Sequence, residues 1–160
     1  MTIEKIVRLL AEYMENCSHS LSTAESCTGG MIAKLITDQA GSSNWFDRGF
    51  ITYSNQAKID CLGVKLEEIQ QYGAVSEQVV RAMAQGAIAH SEAEYSIAVT
   101  GIAGPGGGSL EKPVGTVWIA CSVQNQLFAE CRQFSGNREQ VREQSAFYAL
   151  ELLLRLVSDK

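Results

Sequence analysis

The sequence predicts an α/β fold: one three-layer α/β/α domain over residues 1–160, built on a mixed sheet. Three observations predict it. Apolar residues recur at helical spacing at both ends of the chain and again near its middle. Short apolar and β-branched runs of strand length alternate with helices through the first half, which implies a sheet covered on both faces. Two strand-like runs near the C-terminus are separated only by a tight turn, which adds an antiparallel hairpin. No internal repeat, low-complexity tract or linker divides the chain, and 160 residues suffice for one domain with a substantial core.

The first helix is amphipathic, with Ile3, Ile6, Val7, Leu10, Ala11 and Met14 on one face and Thr2 as its N-cap. Leu21–Glu25 reads as a strand and Gly30–Thr37 as a helix buried on one face. Gly41-Ser42-Ser43 reads as a turn. Gly49–Tyr53, rich in aromatic and β-branched residues, reads as a second strand. Asn55–Cys61 forms a short helix that Gly63 ends. Ser76 caps the next helix, whose apolar face is Val79, Val80, Met83, Ala84, Ala87 and Ile88. Tyr95–Thr100 is a nearly continuous apolar strand of the kind buried inside a sheet, and it runs into the glycine-rich loop Gly101–Ser109. Gly115–Val123 and Gln126–Phe134 are strands joined by a tight hairpin at Gln124-Asn125. Asn137–Val157 closes the chain as a helix with Val141, Ser145, Tyr148, Ala149, Leu152 and Leu156 on one face.

A net charge of −5 argues against a nucleic-acid partner, which wants a basic surface, but leaves room for one small phosphorylated substrate. Cys17, Cys27, Cys61, Cys121 and Cys131 form no C-x-x-C pair, and their odd number suits reduced thiols in the cytoplasm. His19 and His90 are the only histidines, and neither stands at ligand spacing from a cysteine, so no metal or other cofactor is expected. The N-terminal residues lack a basic region followed by an apolar stretch, so no signal peptide is expected. No apolar run approaches the ~20 residues of a membrane helix, so no membrane partner is expected either.

The segment Thr23-Ala24-Glu25-Ser26-Cys27-Thr28-Gly29-Gly30 carries the strongest chemical signal. A strand runs into a helix through small, hydroxyl-bearing and glycine residues, a turn that holds a side-chain oxygen where backbone N–H groups and the helix dipole favour negative charge. Ser26 is the candidate nucleophile, and a serine needs a base. His19 precedes the strand and His90 falls late in a helix; both read as surface residues, so a Ser-His-Asp triad is disfavoured. Ser26 also lacks the G-x-S-x-G frame. Lys58 can take the serine proton if burial keeps it neutral, with Tyr53 as relay or orienting group; the plainer reading is a strand aromatic followed by a solvated lysine. Cys27 is the rival nucleophile, or a buried inert thiol.

The loop Gly101–Ser109 follows a buried strand, where ligands bind in open α/β sheets, although it matches neither Walker A nor a dinucleotide fingerprint. It is either an anion-binding loop or a flexible connection. Arg138 and Arg142 lie four apart at the start of the last helix. They either reach a substrate phosphate or pair with Glu139 and Glu143 on a solvated face.

Five segments in order, TAESCTGG, ITDQAGSSNWFDRGFITYSNQAK, GAVSEQVV, TGIAGPGGGSLEKPVGTVWIA and FSGNREQVREQSAFYAL, resemble the CinA C-terminal-domain family, and within it the single-domain nicotinamide-nucleotide amidases. The resemblance runs over nearly the whole chain. It implies hydrolysis of the carboxamide of nicotinamide mononucleotide to nicotinic acid mononucleotide and ammonia, in the recycling of pyridine nucleotides. It places the family's catalytic serine, tyrosine and lysine on Ser26, Tyr53 and Lys58. The expected mechanism is metal-free: Lys58 deprotonates Ser26, directly or through Tyr53, and backbone N–H groups of Cys27, Thr28 and Gly29 hold the oxyanion. Thr100, Gly101, Ala103, Gly104, Arg138 and Arg142 are the expected substrate-binding residues. A non-catalytic nucleotide-binding module is the alternative. Apolar surfaces on the first and last helices leave a homodimer possible.

Overall fold

The structure, a computed structural model, describes residues 1–159. Five strands form one sheet in the order β2-β1-β3-β4-β5, with β1 Leu21–Glu25, β2 Phe46–Ile51, β3 Tyr95–Gly101, β4 Thr116–Val123 and β5 Gln126–Gln133. β1 runs parallel to β2 and β3, and β4 and β5 add two antiparallel pairings. Gln124 and Asn125 both take positive φ at the β4–β5 turn, 50° and 66°, as a two-residue hairpin of this hand requires. This is the mixed sheet expected from the sequence.

Alternation along the strands separates two cores. Leu21, Ile97, Val99, Val117, Ile119 and Cys121 face α1 (Ile3–Cys17), α2 (Met31–Thr37) and α6 (Arg138–Ser158), whose apolar stripes complete the larger cluster. Ala24, Ala98 and Ala120 face α5 (Glu77–Ala89), flanked by α3 (Asn55–Leu62) and α4 (Leu66–Tyr72). Ser22 and Ser96, also on this face, donate to the α5 carbonyls of Ala87 and Ala84. Small residues bring α5 close to the sheet. Gly86 brings α3 equally close to α5: a Cβ there would sit 2.1 Å from the Leu62 carbonyl oxygen.

The two expected caps, Thr2 and Ser76, are in place, and Ser54 and Asn137 add two more. Thr2, Ser54 and Ser76 accept from the third backbone N–H beyond them, and Asn137 with Gln140 forms a reciprocal capping box on α6. Three readings change. β2 lies at Phe46–Ile51 rather than Gly49–Tyr53, because the Thr52 N–H donates to Glu25 O at 2.8 Å and the chain then leaves the ladder to enter α3. α4 was not expected; it buries only Ile69. His19 is half-buried, its ring 5.4 Å from that of Tyr95, rather than at the surface.

Candidate active site

Three elements converge beyond the carboxyl ends of the parallel strands, the usual ligand position in such sheets. Ser26 follows β1, and its N–H donates to Val99 O of β3 at 3.0 Å. Thr52 is tied to the end of β1 on the other side, which swings Tyr53, Ser54 and α3 over Ser26. A cleft of about 260 Å³ opens here, with Ser26, Cys27, Tyr53, Lys58, Thr100, Gly101, Ala103 and Arg138 among its lining residues.

Lys58 sits on the inner face of α3, only 1% exposed. Its Nζ lies 2.9 Å from Ser26 Oγ. The same nitrogen donates to the carbonyls of Thr52 at 2.8 Å and Tyr53 at 3.2 Å, with Ser54 O at 3.5 Å. A neutral amine has two protons and one lone pair. Two carbonyls accept the protons, which leaves the lone pair for the serine hydroxyl. Burial lowers the Lys58 pKa to about 8, so a useful fraction is neutral near pH 7.

Cys27 lines the same cleft, but burial pushes its pKa up to about 12. A thiol held protonated is a weak nucleophile. Tyr53 lies at the mouth, 61% exposed. Its hydroxyl accepts from Arg138 Nη2 at 3.1 Å rather than contacting Ser26 or Lys58; its backbone carbonyl is what touches the amine. Arg138 Nη1 donates to Gly104 O at 3.0 Å, so this guanidinium spans the cleft from Tyr53 to the glycine-rich loop. Thr100 Oγ1 donates to Ala74 O at 3.0 Å. The loop is closed at its base, where Ile102 N–H donates to Thr116 O and Gly115 N–H to Ile102 O.

The turn itself departs from the simple expectation of a helix end aimed at substrate. Glu25, fully buried, accepts from Thr28 Oγ1 at 2.6 Å and from the Ile32 and Ala33 N–H groups at 2.9 and 3.1 Å. Its carboxylate therefore takes the first free donors of α2, where Gly30 as N-cap offers no side chain. No sequence pattern marked Glu25; its cue was a carboxylate at a strand end seven residues before the donors it caps. The Gly29 N–H donates to Ser26 O at 3.1 Å, so it is engaged within the turn. Arg142 turns away from the cleft, its Nε donating to Cys27 O at 2.9 Å and its Nη2 to Thr28 O at 3.2 Å.

Residues 3–157 match the CinA C-terminal domain family. A nicotinamide-nucleotide amidohydrolase PncC from Enterobacter agglomerans is 56% identical over 136 residues, covering 84% of this chain and 83% of that one. Another protein of that name, from Pseudomonas putida, is 49% identical over 154 residues and 96% of both chains. Among solved structures, the competence/damage inducible protein CihA from Agrobacterium tumefaciens superposes with a TM-score of 0.93 at 46% identity, over 96% of this chain and 94% of that one.

Proposed function

The chain belongs to the CinA C-terminal domain family, and we propose that it is a nicotinamide-nucleotide amidase working through a Ser26–Lys58 dyad. The observation that carries the dyad is the buried Lys58 amine 2.9 Å from Ser26 Oγ, with carbonyls accepting its protons. A pocket that only bound nucleotide would gain nothing from burying a lysine against a serine.

The Lys58 amine accepts the Ser26 proton as Oγ attacks the carboxamide carbon of nicotinamide mononucleotide. The carbonyl oxygen becomes an oxyanion beside the turn, where the Thr28 N–H has no acceptor among the described residues. The C–N bond breaks and the leaving nitrogen takes the proton back from the Lys58 ammonium, departing as ammonia. Water, deprotonated by the same amine, hydrolyses the acyl ester and restores Ser26. Carboxylate and ammonium are the products, and no metal takes part. The Tyr53 hydroxyl retains its own proton to donate into the cleft. Arg138, with two N–H groups engaged and three more on its guanidinium, is the ribose-phosphate ligand.

This reading places the enzyme in the cytoplasm, consistent with its exposed free thiols at Cys17, Cys61 and Cys131. Among the described residues no helix is long and apolar enough to cross a membrane. Homodimerisation through the first and last helices is tested by light scattering. The central experiment is ammonia release from nicotinamide mononucleotide with chelator present. The wild type releases ammonia, and Ser26→Ala and Lys58→Met each lose at least ~10³ of the rate. Full activity in Ser26→Ala would overturn the assignment.

A further inference from the structure

Arg138 and Arg142 look equivalent in sequence, yet only Arg138 lines the cleft. Arg142 grips the two carbonyls that follow the nucleophile, those of Cys27 and Thr28. Building on the amidase reading, we infer that Arg142 is a positioning residue that aims the oxyanion donor, and is not a phosphate ligand.

The argument starts from the peptide plane. In a trans peptide the N–H points opposite to the C=O of the preceding residue. Fixing the Cys27 carbonyl on Arg142 therefore fixes the Thr28 N–H in the reverse direction, away from the guanidinium. The neighbouring peptide is held in the same way, because Ser26 O accepts from Gly29 N–H at 3.1 Å. The Cys27 N–H also has no acceptor among the described residues, but it belongs to the Ser26 peptide, which Gly29 rather than Arg142 holds. Of these two open donors, the Thr28 N–H is the one whose direction Arg142 sets.

Two further observations point the same way. The α2 donors at Ile32 and Ala33 are spent on Glu25, so the oxyanion must find its N–H in the turn. Gly29 takes φ +57°, and a Cβ there would stand 3.2 Å from Arg142 Nη2, so the guanidinium packs directly against the turn. A positive charge on the Cys27 carbonyl also polarises that amide and strengthens its N–H as a donor. Arg142 thus acts on the reacting atoms through a peptide bond that it never crosses.

The test is steady-state ammonia release by wild type, Arg142→Gln and Arg142→Lys, on nicotinamide mononucleotide and on its phosphate-free riboside. Thermal melts confirm folding. Arg142→Gln is expected to lower kcat about tenfold to a hundredfold on both substrates, short of the ~10²–10³ loss for deleting an oxyanion donor outright. KM stays within a few-fold, and the pH midpoint set by Lys58 does not move. Arg142→Lys keeps the charge but on a single nitrogen in place of the two that grip the Cys27 and Thr28 carbonyls, folds, and falls between the two. A KM increase confined to the phosphorylated substrate would instead make Arg142 a phosphate ligand and overturn the inference, as would unchanged kcat in both variants. A wild type silent on both substrates overturns the amidase reading itself, a separate failure seen before any variant is compared.

Discussion

The pH dependence of turnover follows directly from the burial of Lys58. Its pKa of about 8, lowered from 10.5 by removal from water, sets the fraction of amine able to take the serine proton. Roughly a hundredth is neutral at pH 6, roughly a tenth at pH 7 and about half at pH 8. The value kcat/KM should therefore rise about tenfold between pH 6 and pH 7, bend near pH 8 and flatten by about pH 9. A continuous ammonia assay across pH 6–10 measures the curve, with circular dichroism confirming the fold at each point. The same burial affects stability. The unfolded chain holds the lysine proton between pH 8 and 10.5 while the folded one has released it, so stability rises with pH across that window. Below pH 8 the full penalty is present, about 3 kcal/mol from the pKa difference. A rate that keeps rising tenfold per unit beyond pH 9.5, or one flat from pH 6 to 9, would refute the dyad as described.

Other perturbations have equally definite outcomes. Cys27→Ala should keep activity within a few-fold of wild type, because its protonated thiol takes no part; complete loss in a folded variant would restore Cys27 as the nucleophile. Gly86→Ala drives a methyl into the Leu62 carbonyl and should cost about 1–3 kcal/mol in urea melts. Since α3 also carries Lys58, kcat should fall with it, and an unchanged enzyme would mean the helices do not approach as described. Glu25→Gln replaces a buried carboxylate that accepts three hydrogen bonds and should destabilise by about 2–3 kcal/mol, with neutral stability refuting its role as the cap of α2.

The sequence revealed those parts of the fold where local chemistry and tertiary packing agree. The α1 stripe from Ile6 to Met14 is wholly buried, and Ser76 caps α5 as its residue type suggests. β2 was displaced because an edge strand, exposed at Asp47, Arg48 and Gly49, carries little alternation to read. α4 escaped notice because seven residues with one buried side chain leave almost no period. The site divides similarly. Ser26, Tyr53, Lys58, Thr100 and Arg138 do meet in one cleft. The burial of Lys58 on a largely polar helix depends on the Thr52–Glu25 link, which joins residues 27 positions apart. Arg138 and Arg142, identical in type and one turn apart, are separated only by what lies opposite each, and that is a property of the assembled fold.

The ring of carbonyls around Lys58 comes from the chain leading into its own helix: Thr52, Tyr53 and Ser54 all point their oxygens at the amine six, five and four residues ahead. At rest, burial keeps the nitrogen ready to give up its charge. When the serine proton arrives, the same oxygens already face the ammonium that forms. Water would have to rotate to solvate that charge, and here no dipole must turn. One short stretch of backbone thus lowers the reorganisation cost of the proton transfer in both directions, on attack and again when the ammonia leaves.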